Sequence, residues 1–282
     1  MSVTLYHAPP SFYSQIARLV LAEKGVAYTA KLAAAGPPVF ETYAPWYMRL
    51  NPNGTIPTLT HGEVAVPDSR AILAYVDATF EGPSLTPSDT AEREAMQRTI
   101  DGVYDVSVRE ITYGSEKTAK FGARVNAMRI KRLRKLAARH PDMREIYEAK
   151  LRDIEGFAAA AANPVGVEQQ GQRMLALIDE LERSLGQREY VAGSTYSLAD
   201  VVATVTVARL SMIGREPLAG RPALAAWYGR MRARPSFVAA DIWEKFERSR
   251  VLKMIGRKLA PALLGVLALA VLVSWALWYF AD

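Results

Sequence analysis

Alternating apolar–polar patterning is confined to the part of this chain before Asp68, and the remainder repeats with helical spacing. That switch bounds the fold: a compact mixed α/β unit, then a purely helical one. VTLYH (residues 3–7) reads as a strand, and residues 14–25 predict a helix with Ile16, Leu19 and Val20 on one face and Gly25 closing it. VAYTAKL is a candidate second strand. GPPVFETYAPWYMRLNPNG is a Pro- and Gly-punctuated connection with room for one short helix. TIPTLTHGEVAV predicts two short strands around Gly62, and DSRAILAYVDATF a helix capped by Asp68 or Ser69, with Ile72, Leu73, Val76 and Phe80 on one side.

EGPSLTPSDT (residues 81–90) is a polar linker. Beyond it, residues 92–112 and 168–185 carry helical spacing, the second with Met174, Leu177, Ile178, Leu181 and Leu185 on one face and Gly186 after it. Residues 113–167 predict two helical pieces broken at His140-Pro141. In YSLADVVATVTVARL, Ser197 and Asp200 form a capping box with Tyr196 and Val201 as its hydrophobic staple. The helix opened by this box is apolar on nearly every side and is expected at the centre of the helical unit. A last helix, RPALAAWYGRMRAR, ends before Pro235.

Half of the 282 residues are hydrophobic, enough for a sizeable core. The chain has no cysteine, which excludes disulfides, a cysteine nucleophile and thiolate metal ligands. His7, His61 and His140 lie far apart without ligand spacing, so no metal is expected. The net charge of +6 is locally concentrated: Arg124, Arg129, Lys131, Arg132, Arg134, Lys135 and Arg139 form one cluster, and Arg248, Arg250, Lys253, Arg257 and Lys258 a second. The cluster at 124–139 reads either as a solvated helical face or as a docking arm for anionic lipid or a protein partner. No nucleic-acid motif accompanies it, so no nucleic acid is expected.

From Leu259 to Ala281 run 23 residues without a charge. As a helix they would measure about 35 Å, against about 30 Å for a bilayer's hydrocarbon core. Trp275, Trp278 and Tyr279 sit at one end and the basic cluster at the other, as interfacial anchors do. The N-terminus lacks signal-peptide features. The expectation is a tail anchor at 259–281, inserted last, with the preceding part cytosolic.

LYHAPPSFYSQIARLVLAEKG, PWYMRLNPNGTIPTLTHGE, the DS that opens a helix and SLADVVATVTVARL together resemble the glutathione transferase superfamily, and most closely the ganglioside-induced differentiation-associated protein 1 family. The resemblance implies a thioredoxin-like, glutathione-binding domain at 1–82. It further implies an all-α domain at 89–246 with a long insertion at about 113–167, and a C-terminal transmembrane helix at 259–281. The implied protein is a membrane-anchored glutathione transferase-like one, in a bacterial inner membrane or a mitochondrial outer membrane. Glutathione would be the co-substrate, without a metal, and its thiolate would attack an apolar electrophile. The alternatives are a non-catalytic membrane adaptor or membrane-dynamics factor that keeps the fold as a scaffold, and an apolar-ligand carrier. Related transferases dimerise, so a homodimer is a further expectation, although the insertion could block that interface.

A free thiol titrates near 8.5 and is mostly protonated at neutral pH. The positive end of the first helix and a donated hydroxyl hydrogen bond would both favour the thiolate. By the resemblance, Ser11 stands where serine-type transferases place that hydroxyl, and Ser14 one turn on caps or assists. Tyr6 and Tyr13 are the runners-up, and Ser11 also reads as an ordinary N-cap. Pro57 matches the family's cis-proline, which aims the backbone of Ile56 at the cysteinyl part of glutathione. Asp68 and Ser69 match the pair that holds the γ-glutamyl group. Arg49 is the candidate for the glycyl carboxylate.

Overall fold

The computed structural model describes residues 1–37, 40–115, 118–247, 249–250 and 256. The chain divides into two units, Met1–Lys245 and Phe246–Asp282. In the second, Arg250 pairs with Glu247 at 3.9 Å.

The first unit opens with β1 (Val3–His7), α1 (Phe12–Glu23), β2 (Thr29–Leu32), a 3-10 turn at Glu41–Tyr43, α2 (Pro45–Leu50), β3 (Thr58–His61), β4 (Val64–Pro67) and α3 (Ser69–Thr79). It continues with α4 (Thr90–Tyr104), α5 (Val108–Gly114), α6 (Ala119–Arg139), a second 3-10 turn at Pro141–Met143, α7 (Arg144–Ala161), α8 (Pro164–Leu185), α9 (Leu198–Met212), α10 (Pro222–Arg232) and α11 (Pro235–Ala239). The sheet order is β2-β1-β3-β4. β1 runs parallel to β2, with α1 as the crossover, and antiparallel to β3; β3 and β4 form a hairpin. Gly62 turns that hairpin at φ +59°, a conformation that a β-carbon would oppose. This is a thioredoxin-like sheet followed by a helical part.

One face of β1 (Val3, Leu5, His7) is buried, as its alternation requires. Leu5, Leu59, Ile16, Leu19, Ile72 and Val76 share a single core with residues of α4, α8 and α9. In α9 every residue from Leu198 to Leu210 is buried, which its all-round apolar surface demands. Its capping box is formed, with Ser197 N donating to Asp200 Oδ2 at 2.9 Å. Asp200 also accepts from Val191 N (3.0 Å) and Trp227 Nε1 (2.9 Å), so the cap anchors the neighbouring segments as well.

Three helical readings change. The periodic stretch 92–112 splits into α4 and α5, because Ser107 accepts from Glu110 N and starts a new helix. α8 begins earlier than expected, at an Asn163 cap followed by Pro164 at the first helical position. The segment holding the basic cluster is more than a solvated hairpin. α6 and α7 enclose a second core of Leu133, Leu136, Met143, Tyr147 and Ile154 against Phe40, Tyr43 and Met48. Tyr147 OH donates to Tyr43 O at 3.0 Å, and buried Arg129 Nε donates to Ala35 O at 2.8 Å. Of the cluster, Arg124, Lys131, Arg134, Lys135 and Arg139 remain exposed.

The membrane expectation is corrected. The run 259–281 lies outside the described residues, and among the described residues no helix is long and apolar enough to cross a membrane. The long helices α6, α7 and α8 carry charged side chains along their lengths and bury one face only.

Candidate active site

The strand register gathers three segments that are distant in sequence. Tyr6, near the end of β1, pairs with Thr58 at the start of β3, and Thr58 pairs with Pro67 at the end of β4. The loop to Ser11, the Ile56-Pro57 bond and the Asp68–Ser69 helix start therefore lie at one end of the sheet. The Ile56-Pro57 peptide is cis. Asp68 N donates to Pro57 O at 3.4 Å, which ties the second segment to the third.

Ser11 caps α1 from an extended backbone (φ −71°, ψ 128°), and its Oγ accepts from Ser14 N at 3.3 Å. The cap uses an acceptor position of the hydroxyl and leaves its one O–H to donate. Ser14 is fully buried, and its Oγ accepts from Ala8 N at 3.4 Å, which holds the loop in place. Each carbonyl from Ala8 to Pro10 has a donor. Ser11 N takes Ala8 O at 3.0 Å, Arg18 Nη2 takes Pro9 O at 3.0 Å, and Arg209 Nη2 takes Pro10 O.

Arg18 is buried and also reaches Ala240 O (2.6 Å), Asp241 O (3.0 Å) and His7 Nδ1 (3.1 Å). A guanidinium only donates, so His7 Nδ1 accepts. Burial, and then the charge of Arg18, push the His7 pKa down to about 4. Of the other hydroxyl candidates, Tyr13 is held protonated by burial and packs edge-on to Phe12 and tilted to Tyr104, with ring centres 5.0 and 6.0 Å away. Tyr6 packs instead on Trp46 and Tyr47 (5.7 and 5.8 Å), beneath Lys31.

Asp68 caps α3 at φ +84°, its carboxylate accepting from Arg70 N at 2.7 Å, and remains exposed. Ser69 is 1% exposed, with its Oγ 2.7 Å from Tyr104 OH. Tyr104, which sequence reasoning missed, thus joins the α3 start to Tyr13 from the helical part. Burial raises its hydroxyl pKa well beyond the ordinary value, so it stays a donor. A second missed group braces the cis bond. Tyr47 OH donates to Thr55 O (2.7 Å) beside Thr58 Oγ1 (2.9 Å), and Asn51 Nδ2 donates to both Thr55 O (3.0 Å) and Thr58 Oγ1 (2.9 Å). Arg49 is exposed and pairs with Asp142 at 3.3 Å. A groove of about 690 Å³ along Pro164, Glu168 and Gln172 includes none of these residues.

A thioredoxin-like sheet with a cis-proline before β3, a hydroxyl-capped first helix and a helical second part defines the glutathione transferase fold. The model of the glutathione S-transferase N-terminal domain matches residues 5–84, and that of the C-terminal domain residues 164–230. The chain is 32% identical over 241 residues to the tetrachloro-p-hydroquinone reductive dehalogenase of Sphingobium chlorophenolicum, covering 85% of this chain and 96% of that protein. It is 25% identical over 275 residues to the human ganglioside-induced differentiation-associated protein 1-like 1, covering 86% and 74% of the two. The crystal structure of the beta-etherase LigF from Sphingobium sp. strain SYK-6 superposes with a TM-score of 0.67 at 23% identity, covering 85% and 98%. The chain belongs to the glutathione transferase superfamily. Against the inner- or outer-membrane location expected from the sequence, no described helix is long and apolar enough to cross a membrane, and the likeness to the dehalogenase extends over 96% of that protein.

Proposed function

We propose that the chain is a glutathione-dependent transferase whose bound thiolate attacks an apolar, ring-bearing electrophile. The observation that carries this is the gathering of Ser11, cis Ile56-Pro57 and Asp68–Ser69 at one end of the sheet. Ser11 donates its remaining O–H to the sulfur, and the N-terminus of α1 adds its positive end. The backbone of Ile56 pairs with the cysteinyl part of the tripeptide, as an added strand does. Asp68 accepts from the α-ammonium, and Ser69, set by Tyr104, meets the glutamyl carboxylate beside the N-terminus of α3. Residues 1–82 form the glutathione-binding domain, and 89–246 supply the wall for the electrophile. Support for a ring-bearing substrate comes from the chlorinated hydroquinone named for the dehalogenase relative and from the aromatic row Phe12, Tyr13 and Tyr104 that begins at the residue after Ser11.

Calorimetric titration of the full chain with glutathione tests the binding half: saturable heat is expected, and its absence would leave the scaffold and apolar-ligand-carrier readings. Conjugation of glutathione to 1-chloro-2,4-dinitrobenzene tests the chemistry. Ser11→Ala should slow it tenfold or more, the rate equivalent of about 1.4 kcal/mol of lost thiolate stabilisation. An unchanged rate would move the role to Tyr13.

A further inference from the structure

Arg209 is a buried cation that the glutathione contacts leave unexplained. It projects from α9 and is 5% exposed. Its Nη2 donates to the carbonyl of Pro10, the residue before Ser11, and its guanidinium carbon lies 6.0 Å from the Phe12 ring centre. Its Nε is buried without a hydrogen-bond partner. The titratable groups that face it are Tyr13 from α1 and Tyr113 from α5. Burial lowers its pKa to about 10, so it stays charged at neutral pH. Around Tyr13 stand Arg109 from α5 and Asp68 at the α3 start, and on the far side of the loop stand neutral His7 and Arg18.

The two arginines that grip this loop differ. Arg18 spends its donors on three carbonyls and an imidazole. Arg209 donates to one carbonyl, and among the described residues no carboxylate pairs with it. Removing a guanidinium from water without an anion is costly, and such a charge is strongly stabilised when an anion comes close. The anion expected at the Ser11 end of the site is the sulfur; the glutamyl carboxylate belongs at the Asp68–Ser69 end.

We infer that Arg209 is a positioning residue that acts through the Pro10–Ser11 loop: it fixes Ser11 and supplies the buried positive charge that holds the bound thiol as thiolate. The inference rests on the proposed glutathione site. The expected contribution is a shift of about one pH unit or more in the thiol's titration, the usual effect of a nearby opposite charge.

The test is the thiol pKa of glutathione bound to the full chain, tracked by thiolate absorbance in the far ultraviolet for wild type, Arg209→Gln and Arg209→Lys. Glutamine keeps a donor for Pro10 O and removes the charge; lysine keeps both. The expected result is a pKa raised by about one unit or more in Arg209→Gln and mostly restored in Arg209→Lys. An unshifted Arg209→Gln, or equal shifts in both variants, overturns the inference. Arg209→Met gives a second reading should Arg209→Gln fail to fold. It removes the charge with an apolar side chain that suits the buried face of α9, and the thiol pKa must again rise; no rise overturns the role. Calorimetry separates the two readings: a wild type that takes up no glutathione overturns the glutathione site itself, whereas normal uptake with an unshifted thiol overturns Arg209 alone.

Discussion

Two regions of this molecule compensate their cations differently. At the C-terminal end of α1, cations meet carboxylates. Lys24 pairs with Asp77 at 3.3 Å, with both side chains under a tenth exposed, and half-buried Arg234 pairs with Glu23 at 2.6 Å. At the Ser11 loop, buried Arg209 meets a backbone carbonyl instead, and no carboxylate among the described residues. The first arrangement fixes the fold. The second holds a loop rigid while keeping positive potential beside it, which suits a site that receives an anion.

The comparison breaks most readily at Asp77. Its carboxylate takes Lys24, Leu85 N (2.9 Å) and Thr86 Oγ1 (2.7 Å) together. Asp77→Ala leaves Lys24 buried without its anion and should cost about 4 kcal/mol in urea unfolding. A loss below about 1 kcal/mol would show that carbonyls suffice for a buried cation everywhere in the molecule.

The next largest effect belongs to His7. Its folded pKa of about 4 lies below the ordinary 6.5, so between these values the unfolded chain binds more protons than the folded one. Stability is therefore fully present above pH 6.5 and falls as pH drops toward 4, by about 3 kcal/mol. His7→Gln should flatten that part of the stability curve, and an equal slope in the variant would place the acid sensitivity elsewhere.

Glu23 tests the carboxylate clasp at its charged end. Burial opposes its ionised form, yet Arg234 and Ser236 hold its carboxyl below the usual range. Glu23→Gln should cost about 2 kcal/mol in thermal or urea unfolding, since Arg234 then keeps its hydrogen bonds and loses its anion. Ser11→Ala should have the smallest effect on stability, about 1 kcal/mol for a lost N-cap. A much larger loss would mean that the hydroxyl serves the fold more than the chemistry.

How much the sequence makes legible depends on the range of the interactions. The Ser197–Asp200 box, the Ser11 cap and the Gly62 hairpin are local, and their residues announce them within a few positions. The α6–α7 core escapes a sequence reading because Arg129 and its neighbours resemble a solvated face. Their burial depends on Phe40, Tyr43 and Met48, which reach them only in the folded chain. Arg209 bonds to a residue 199 positions away, and Tyr104 to one 35 positions away; no local pattern carries either contact. Ile56-Pro57 and Asp68–Ser69 are legible through family resemblance, and the register of β1, β3 and β4 explains why they converge.

Hydrogen exchange of the full chain with and without glutathione reads whether the three segments form one glutathione site. Added protection should appear together in residues 8–14, 55–58 and 68–72, the three segments at one end of the sheet, and leave the α6–α7 core unchanged. Protection confined to another region, or to only one of the three segments, would contradict a single glutathione site built on Ser11, Ile56-Pro57 and Asp68–Ser69.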